Sequence, residues 1–409
     1  MEQTTTVLPT GINERVSDGD DGWHAPDPVT LEDGSIVQLY KDGEALAAAF
    51  SAIENARHRI CLEVYIFASD STGRAFADLL SRKAAQGVQV LLIYDSFGSL
   101  TSDREMFRQM RAAGVKMRQF HPIRPWESHF SWRPCNRDHR KLLVIDDQIA
   151  GMGGLNVGRE YAGSWVIRPR KGEQCDAWRD NAIGITGPAA HRYLRCFAKT
   201  WHYATRGGKI RNAEFDYNTE SLRRPKAPGD DLCILASVPT MNSPVRPMLH
   251  SILRSATKSI RMTMAYFAPD DDLINELCRA ARRGVNVQLM LPAVCDVKPL
   301  LIAARSFYEK LLTQGVIVYE RQSVVLHAKT MTIDAHTTVI GSLNLDYRSI
   351  EYNLELSSVI RSDIFGQQMH DLFDNDVRYA RRINLKEWRR RPTRDRLVQW
   401  AVSRARYLL

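Results

Sequence analysis

The run Ile60-Cys-Leu-Glu-Val-Tyr-Ile-Phe67, a helix-patterned stretch over 73–86 closed by Gly87, and then Val88-Gln-Val-Leu-Leu-Ile-Tyr94 decide the fold. Short apolar runs rich in β-branched residues read as buried strands. A glycine just past an amphipathic stretch is a usual helix stop. Strand, helix and strand in this order, with strands apolar on both faces, predict an α/β fold with layered helices and sheet. A second helix over 103–113, closed by Gly114, leads to Val115. Upstream, helical periodicity starts at Glu44 and runs through Leu46, Phe50 and Ile53.

The same order returns two hundred residues later. Ser259-Ile-Arg-Met-Thr-Met-Ala-Tyr-Phe-Ala-Pro269 matches the first strand, and 271–283 with Gly284 the first helix. Val285-Asn-Val-Gln-Leu-Met-Leu291 matches the second strand, and 306–314 with Gly315 the second helix. A single duplication excludes solenoids and propellers, which need an array of short repeats. The polar stretch 206–231, with Gly207, Gly208, Pro225 and Pro228, reads as the linker. The expected organisation is a polar acidic arm (1–34), a first half (35–205), the linker, a second half (232–376) and a basic amphipathic tail (377–409).

Composition supports this. A chain of 409 residues has room for two or three domains. With 44% hydrophobic and 25% charged residues, it is neither disordered, nor collagen-like, nor a small disulfide scaffold. The net charge of +9 favours a polyanionic partner without choosing one. It is unevenly placed: residues 1–34 carry eight acids and one base, and 378–409 carry eleven bases and two acids. The seven cysteines show no C-x-x-C and no paired spacing, so a reducing compartment is expected, with no zinc site. No signal peptide is visible, and no apolar run reaches the ~20 residues that cross a bilayer. The expectation is a soluble or peripheral protein.

One pattern occupies the same place in both copies. The first reads His139-Arg-Lys141-Leu-Leu-Val-Ile-Asp146, then Gly153-Gly154-Leu-Asn156. The second reads His327-Ala-Lys329-Thr-Met-Thr-Ile-Asp334, then Gly341-Ser342-Leu-Asn344. Residues i and i+2 of a strand share a face, so each His projects beside its Lys. An imidazole next to an ammonium group suits attack on a phosphate. Lys and Asn, with Ser342 in copy two, supply positive charge and hydrogen bonds to the non-bridging oxygens. Two histidines allow one to attack phosphorus and the other to shuttle the proton. A carboxylate on the second ring nitrogen would fix the tautomer. Glu355 is the candidate for His327, and Asp180 for His139, with Asp176 behind it. A lone His-x-Lys on a strand is common. Two with Asp and Asn at identical offsets in a duplicated frame are not a chance pairing.

These motifs resemble the paired HxKxxxxD motifs of the phospholipase D superfamily. The chain is similar, within it, to bacterial cardiolipin synthases of the type without transmembrane helices. The supporting stretches include Leu62-Glu63-Val-Tyr65-Ile-Phe67, Trp178-Arg179-Asp180, Tyr266-Phe267-Ala-Pro269-Asp270 and Asn344-Leu-Asp346-Tyr-Arg348-Ser349, with Glu351, Asn353 and Glu355. The resemblance runs from about residue 35 to the end of the chain. It implies two halves packed with pseudo-two-fold symmetry around one site, and no metal or other cofactor. It implies that two phosphatidylglycerol molecules are joined with release of glycerol through a phosphohistidine. His139 is then the nucleophile and His327 the acid/base. Asp146 and Asp334 become supporting ion-pair residues.

Phosphatidylethanolamine stays open as a second donor. So do hydrolysis or headgroup exchange, as in a phospholipase D. A nuclease or phosphodiesterase is the rival from another substrate class; its relatives typically carry one motif per chain, and no nucleic acid is expected here. The tail sets Trp388, Trp400 and Tyr407 among arginines, and Leu397, Trp400, Ala401 and Leu408 can share a helix face. That composition suits contact with an anionic membrane surface. The expected place is the cytoplasmic face of the bacterial inner membrane. The competing reading is a solvated basic helix lying on the acidic arm. Glu63 either borders the site or is an ordinary paired carboxylate. Trp126 and Trp132 either border a lipid entrance or fill a loop.

Overall fold

The computed structural model describes residues 22–124, 135–163, 178–206, 231–237 and 245–408. The arm to residue 21, Trp126, Trp132, Asp176 and 207–230 of the linker lie outside the described residues. Two units emerge. The first comprises the described residues up to 163 together with 181–206, and the second comprises Trp178–Asp180 and the described residues from 231 onward.

In the first unit the elements are β1 (Val29–Thr30), β2 (Ile36–Lys41), α1 (Glu44–Asn55), β3 (Arg59–Val64), α2 (Ser71–Ala85), β4 (Gln89–Asp95), α3 (Arg104–Ala112), β5 (Lys116–Phe120), β6 (Leu142–Ile145), β7 (Ile149–Gly153), β8 (Asn181–Thr186) and α4 (Ala190–Arg206). The eight strands form one sheet in the order β1-β2-β8-β7-β6-β3-β4-β5. Strands β3, β4 and β5 run parallel, whereas β6, β7, β8 and β2 are antiparallel neighbours. The sheet is therefore mixed, because β6 returns through a tight hairpin to β7 rather than through a helix. Side chains alternate across it. Leu62 and Val64 face α1 and α2, while Cys61 faces Phe197 of α4.

The second unit repeats this plan with β9 (Leu232–Ser237), α5 (Val245–Ser255), β10 (Ser259–Met264), β11 (Phe267–Ala268), α6 (Asp271–Arg282), β12 (Asn286–Val294), α7 (Lys298–Ser306), α8 (Tyr308–Thr313), β13 (Ile317–Val325), β14 (Lys329–Ile333), β15 (Thr337–Gly341), β16 (Leu345–Asp346), α9 (Tyr347–Glu351), β17 (Glu355–Arg361), α10 (Asp363–Val377), β18 (Ala380–Arg382), α11 (Leu385–Arg389) and α12 (Thr393–Arg404). The order β18-β13-β12-β10-β14-β15-β17-β9 matches the first sheet strand for strand, apart from β1 and β18 at opposite edges. Ile260, Met262 and Met264 join the core under α5 and α6, and Arg261 on the other face bonds the His370 carbonyl of α10. The bridge between Phe67 and Val157 in the first unit corresponds to the β11–β16 pair, Phe267 with Leu345, in the second.

Local chemistry explains the boundaries. Asp70 and Asp270 cap α2 and α6 by accepting the backbone N–H of Gly73 and Leu273. Gly87 and Gly284 take φ of +89° and +91°, which stops each helix and turns the chain into the next strand. The helix read over 306–314 is shorter, and α7 precedes it. Pro299 in the first turn of α7 starts that helix early.

The tail packs on its own unit. Trp388 lies against Tyr308, with centroids 4.9 Å apart. Arg391 and Arg389 pair with Glu309, and Arg406 with Asp271. Helix α12 packs on α7 with Val402 turned inward, leaving Leu397, Val398, Trp400 and Ala401 exposed among Arg394, Arg396 and Arg404. Trp388 is thus part of the tail's anchor rather than of its outer face. Among the described residues, no helix is long and apolar enough to cross a membrane.

Candidate active site

In the first unit, His139 and Lys141 lie just ahead of β6, both buried. Lys141 Nζ donates to the His139 carbonyl at 2.6 Å and sits 5.3 Å from the Tyr65 ring centroid. The Tyr65 ring meets His139 edge-on at 5.0 Å. A buried polar layer backs this segment. Asp95, at the end of β4, accepts the Asp138 N–H at 2.9 Å and faces Arg137. Burial, reinforced by Glu63 and opposed by Arg140, pushes the Asp138 carboxyl well above the usual range. Glu63 is fully buried, 3.9 Å from Arg140. It pairs across the ladder with Leu142, so it faces away from Lys141 and is a paired carboxylate rather than part of the site's lining.

In the second unit, His327 precedes β14, and Lys329 again donates to the carbonyl of its own histidine. The His327 Nδ1 lies 2.6 Å from Asp180 Oδ2, both side chains buried. A carboxylate accepts, so Nδ1 carries the proton and Nε2 is the nitrogen left for chemistry. This corrects the expected pairing: His327, for which Glu355 was the candidate, is held by Asp180. Trp178–Asp180 runs alongside the end of β13, with Arg179 N–H bonded to the Val325 carbonyl and His327 N–H to the Arg179 carbonyl. Arg179 anchors it through two 2.8 Å bonds to Asp376 of α10. Glu355 instead accepts from Ser342 Oγ at 2.5 Å and from Asn353 Nδ2 at 3.1 Å.

Among the described residues the motif aspartates bind backbone N–H groups rather than forming the expected ion pairs. Asp146 accepts the backbone N–H groups of Arg57, His58 and Arg59, and Asp334 those of Thr257, Lys258 and Ser259. Each thereby ties the His-x-Lys hairpin to the start of β3 or β10. Partial burial works against ionisation, but these bonds outweigh it and hold both carboxyls below the usual range. Asn156 is spent in a similar way: its Oδ1 accepts from Ile66 N–H and its Nδ2 donates to Tyr161. Asn344 is buried, and its Oδ1 has no partner among the described residues.

Lys329 is strongly altered by its setting. Burial pulls its pKa down to about 8, against the pull of Asp180, Glu355, Asp296 and Asp346. Burial also lifts Asp346 to about 6, against its bonds from Ser349. An oriented imidazole beside a buried ammonium can bind a phosphate and move a proton at its bridging oxygen. Among the described residues no group of three His, Cys, Asp or Glu is placed to hold a metal ion. Sequence reading passed over Arg179 and Asp376, which anchor the Asp180 segment, and Asp95 and Asp138, which back the His139 segment. It quoted Tyr65 and Tyr266 only as matching residues. The one signal for Arg179 was its place beside Asp180.

Two such sites, at matching positions of duplicated sheets, define a phospholipase D-like protein. The family described as "Cardiolipin synthase, PLD-like domain" matches residues 50–164 and 249–377. The chain is 33% identical to a cardiolipin synthase of Geobacillus thermodenitrificans over 92% of its own length and 72% of that protein's. It is also 33% identical to cardiolipin synthase A of Pseudomonas putida, over 86% of this chain and 71% of that one. The crystal structure of phosphatidylserine synthase from Haemophilus influenzae shares the fold, with a TM-score of 0.69 at 14% identity over 93% of this chain and 97% of that one. The chain belongs to the cardiolipin synthase family of phospholipase D-like proteins.

Proposed function

We propose that this protein is a phosphatidyltransferase that joins two phosphatidylglycerol molecules into cardiolipin and releases glycerol. The observation that carries the reading is a pair of intact His-x-Lys sites in a chain about a third identical to cardiolipin synthases over nine-tenths of its length. His139 Nε2 attacks the phosphorus of the first phosphatidylglycerol. The P–O bond to its terminal glycerol breaks, and that oxygen takes a proton from His327 Nε2. A phosphatidyl-His139 remains. The headgroup hydroxyl of a second phosphatidylglycerol then attacks it, His327 removes the hydroxyl proton, and the P–N bond breaks to free His139. Asp180 holds His327 through Nδ1 and steadies the cationic form that donates in the first step and is regenerated in the second. Lys141 and Lys329 offset the charge that builds on the phosphoryl oxygens.

The protein acts at the cytoplasmic surface of the membrane, and the exposed face of α12, with Leu397 and Trp400 among arginines, contributes to anionic lipid contact. The deciding experiment is purified enzyme with labelled phosphatidylglycerol, with lipid products read by mass spectrometry. Cardiolipin plus free glycerol is the expected result. Phosphatidic acid alone makes water the acceptor. Added phosphatidylethanolamine tests whether it serves as a donor.

A further inference from the structure

A single exposed apolar side chain is ordinary. This molecule shows something more ordered. Strand β3 pairs Arg59 with Gln89, and β10 pairs Ser259 with Asn286. Arg59 and Ser259 are equivalent, since each gives its N–H to the motif aspartate of its half. Counting from these anchors, Phe97 corresponds to Val294, Ser99 to Asp296 and Leu100 to Val297. All four apolar members are exposed: Phe97 by 55%, Leu100 by 60%, Val294 by 50% and Val297 by 36%.

Both loops are fastened to the histidine motifs. In the first unit, Asp95 accepts the N–H groups of Phe97 and Gly98 on one oxygen and that of Asp138, next to His139, on the other. Ser99 Oγ bonds the Tyr65 carbonyl, and Tyr65 touches His139. Gly98 is required, because a Cβ there would lie 2.3 Å from the Tyr65 carbonyl oxygen. In the second unit, Tyr266 donates from its hydroxyl to Asp296, between the two valines, and its ring meets His327 edge-on at 6.3 Å. In each half, then, a loop braced on a tyrosine beside the histidine turns two apolar side chains, three positions apart, to solvent. A duplicated sheet has no packing reason to keep this at both copies. A phosphate substrate embedded in a bilayer supplies one: the phosphate reaches the histidine while the loop rests in the surrounding lipid.

We propose that Phe97 with Leu100, and Val294 with Val297, are bilayer-contacting lips that seat each half on the headgroup–acyl boundary of a phospholipid membrane. The proposal rests on the lipid reading of the site and goes further by naming the contact residues. It names residues other than those of the tail, in loops that adjoin the histidines. Their apolar contact persists in high salt, whereas an arginine-rich contact fades.

The test uses the full chain carrying Phe97→Ser with Leu100→Ser, Val294→Ser with Val297→Ser, and all four together, alongside wild type. Binding is measured by flotation with phosphatidylglycerol/phosphatidylcholine vesicles in high salt. Turnover is measured on those vesicles and on phosphatidylglycerol dispersed in detergent micelles. Each pair should weaken vesicle binding about tenfold or more. Vesicle turnover should fall in parallel, with micellar turnover within about twofold of wild type. Unchanged binding overturns the proposal. Equal losses on vesicles and micelles also overturn it, by assigning the loops to internal packing. If wild type makes no cardiolipin on either presentation yet the variants still lose binding, the catalytic reading fails and this one stands. Should a serine variant unfold, Phe97→Trp with bromine-labelled acyl chains gives a second readout. Quenching beyond that of wild type supports insertion, and none overturns it.

Discussion

Around His327, the partners are a carboxylate on Nδ1 from Asp180, the ring of Trp178 at 5.2 Å and that of Tyr266. Around His139, they include the edge-on Tyr65 ring, with a buried layer of Asp95, Arg137, Asp138 and Arg140 behind the segment. The strand frame is the same in both, and so is the fold-back of each lysine onto its histidine's carbonyl. The two copies share the backbone that aims the histidines, while the aromatic side chains set beside them differ, Tyr65 in one and Trp178 with Tyr266 in the other. A frame held by main-chain ladders tolerates such change, because the hydrogen bonds that build it do not depend on side-chain identity.

Removing the histidines should have the largest effect. His139→Ala and His327→Ala should each lower turnover by about a thousandfold or more. Enzyme denatured at neutral pH during turnover should carry a phosphatidyl adduct that His139→Ala lacks, and an adduct that survives there exchanges the two roles. Asp180→Asn comes next, at about a hundredfold in kcat through the lost tautomer control of His327. Asp334→Asn should instead cost about 1–3 kcal/mol of stability by losing backbone bonds, with kcat nearly kept. Similar kcat losses in both would erase the distinction between the orienting and the scaffolding aspartate.

A smaller effect follows from Lys329. Its charge is present below its pKa of about 8 and is lost as the pH rises through it. The pH profile of kcat/KM should therefore fall on the alkaline side near 8, and Lys329→Arg should move that limb upward even if overall activity drops. A limb that stays in place would assign the ionisation to another group. The smallest effect is expected at α12: Leu397→Ser with Trp400→Ser should weaken vesicle binding severalfold, and more clearly at low salt where its arginines act. Equal binding at every salt concentration would remove α12 from membrane contact.

Much of this was readable in advance where the cause is local. The strands at Arg59–Val64 and Gln89–Asp95, the helix between them and the stop at Gly87 follow from neighbouring residues, and so do their second copies. The His-x-Lys sites were equally legible, because a two-residue step is kept by any extended chain. The owner of Asp180 was not. It lies 147 residues from His327, and nearness along the chain favoured the wrong histidine. The motif aspartates were misjudged for a related reason: their ion-pair role was taken from the resemblance, and only the folded chain reveals three backbone N–H groups converging on each.

The sequence by itself determined the duplicated α/β frame, the two histidine–lysine pairs and the basic tail, since each depends on periodicity, spacing or charge within a short stretch. Tertiary structure alone decided that Asp180 is held on His327 by the Arg179–Asp376 pair, that burial draws Lys329 toward neutrality, and that Phe97, Leu100, Val294 and Val297 face outward beside the sites. Those outcomes depend on which distant groups meet and on how much water is left around them, and neither quantity is written in any one stretch of the chain.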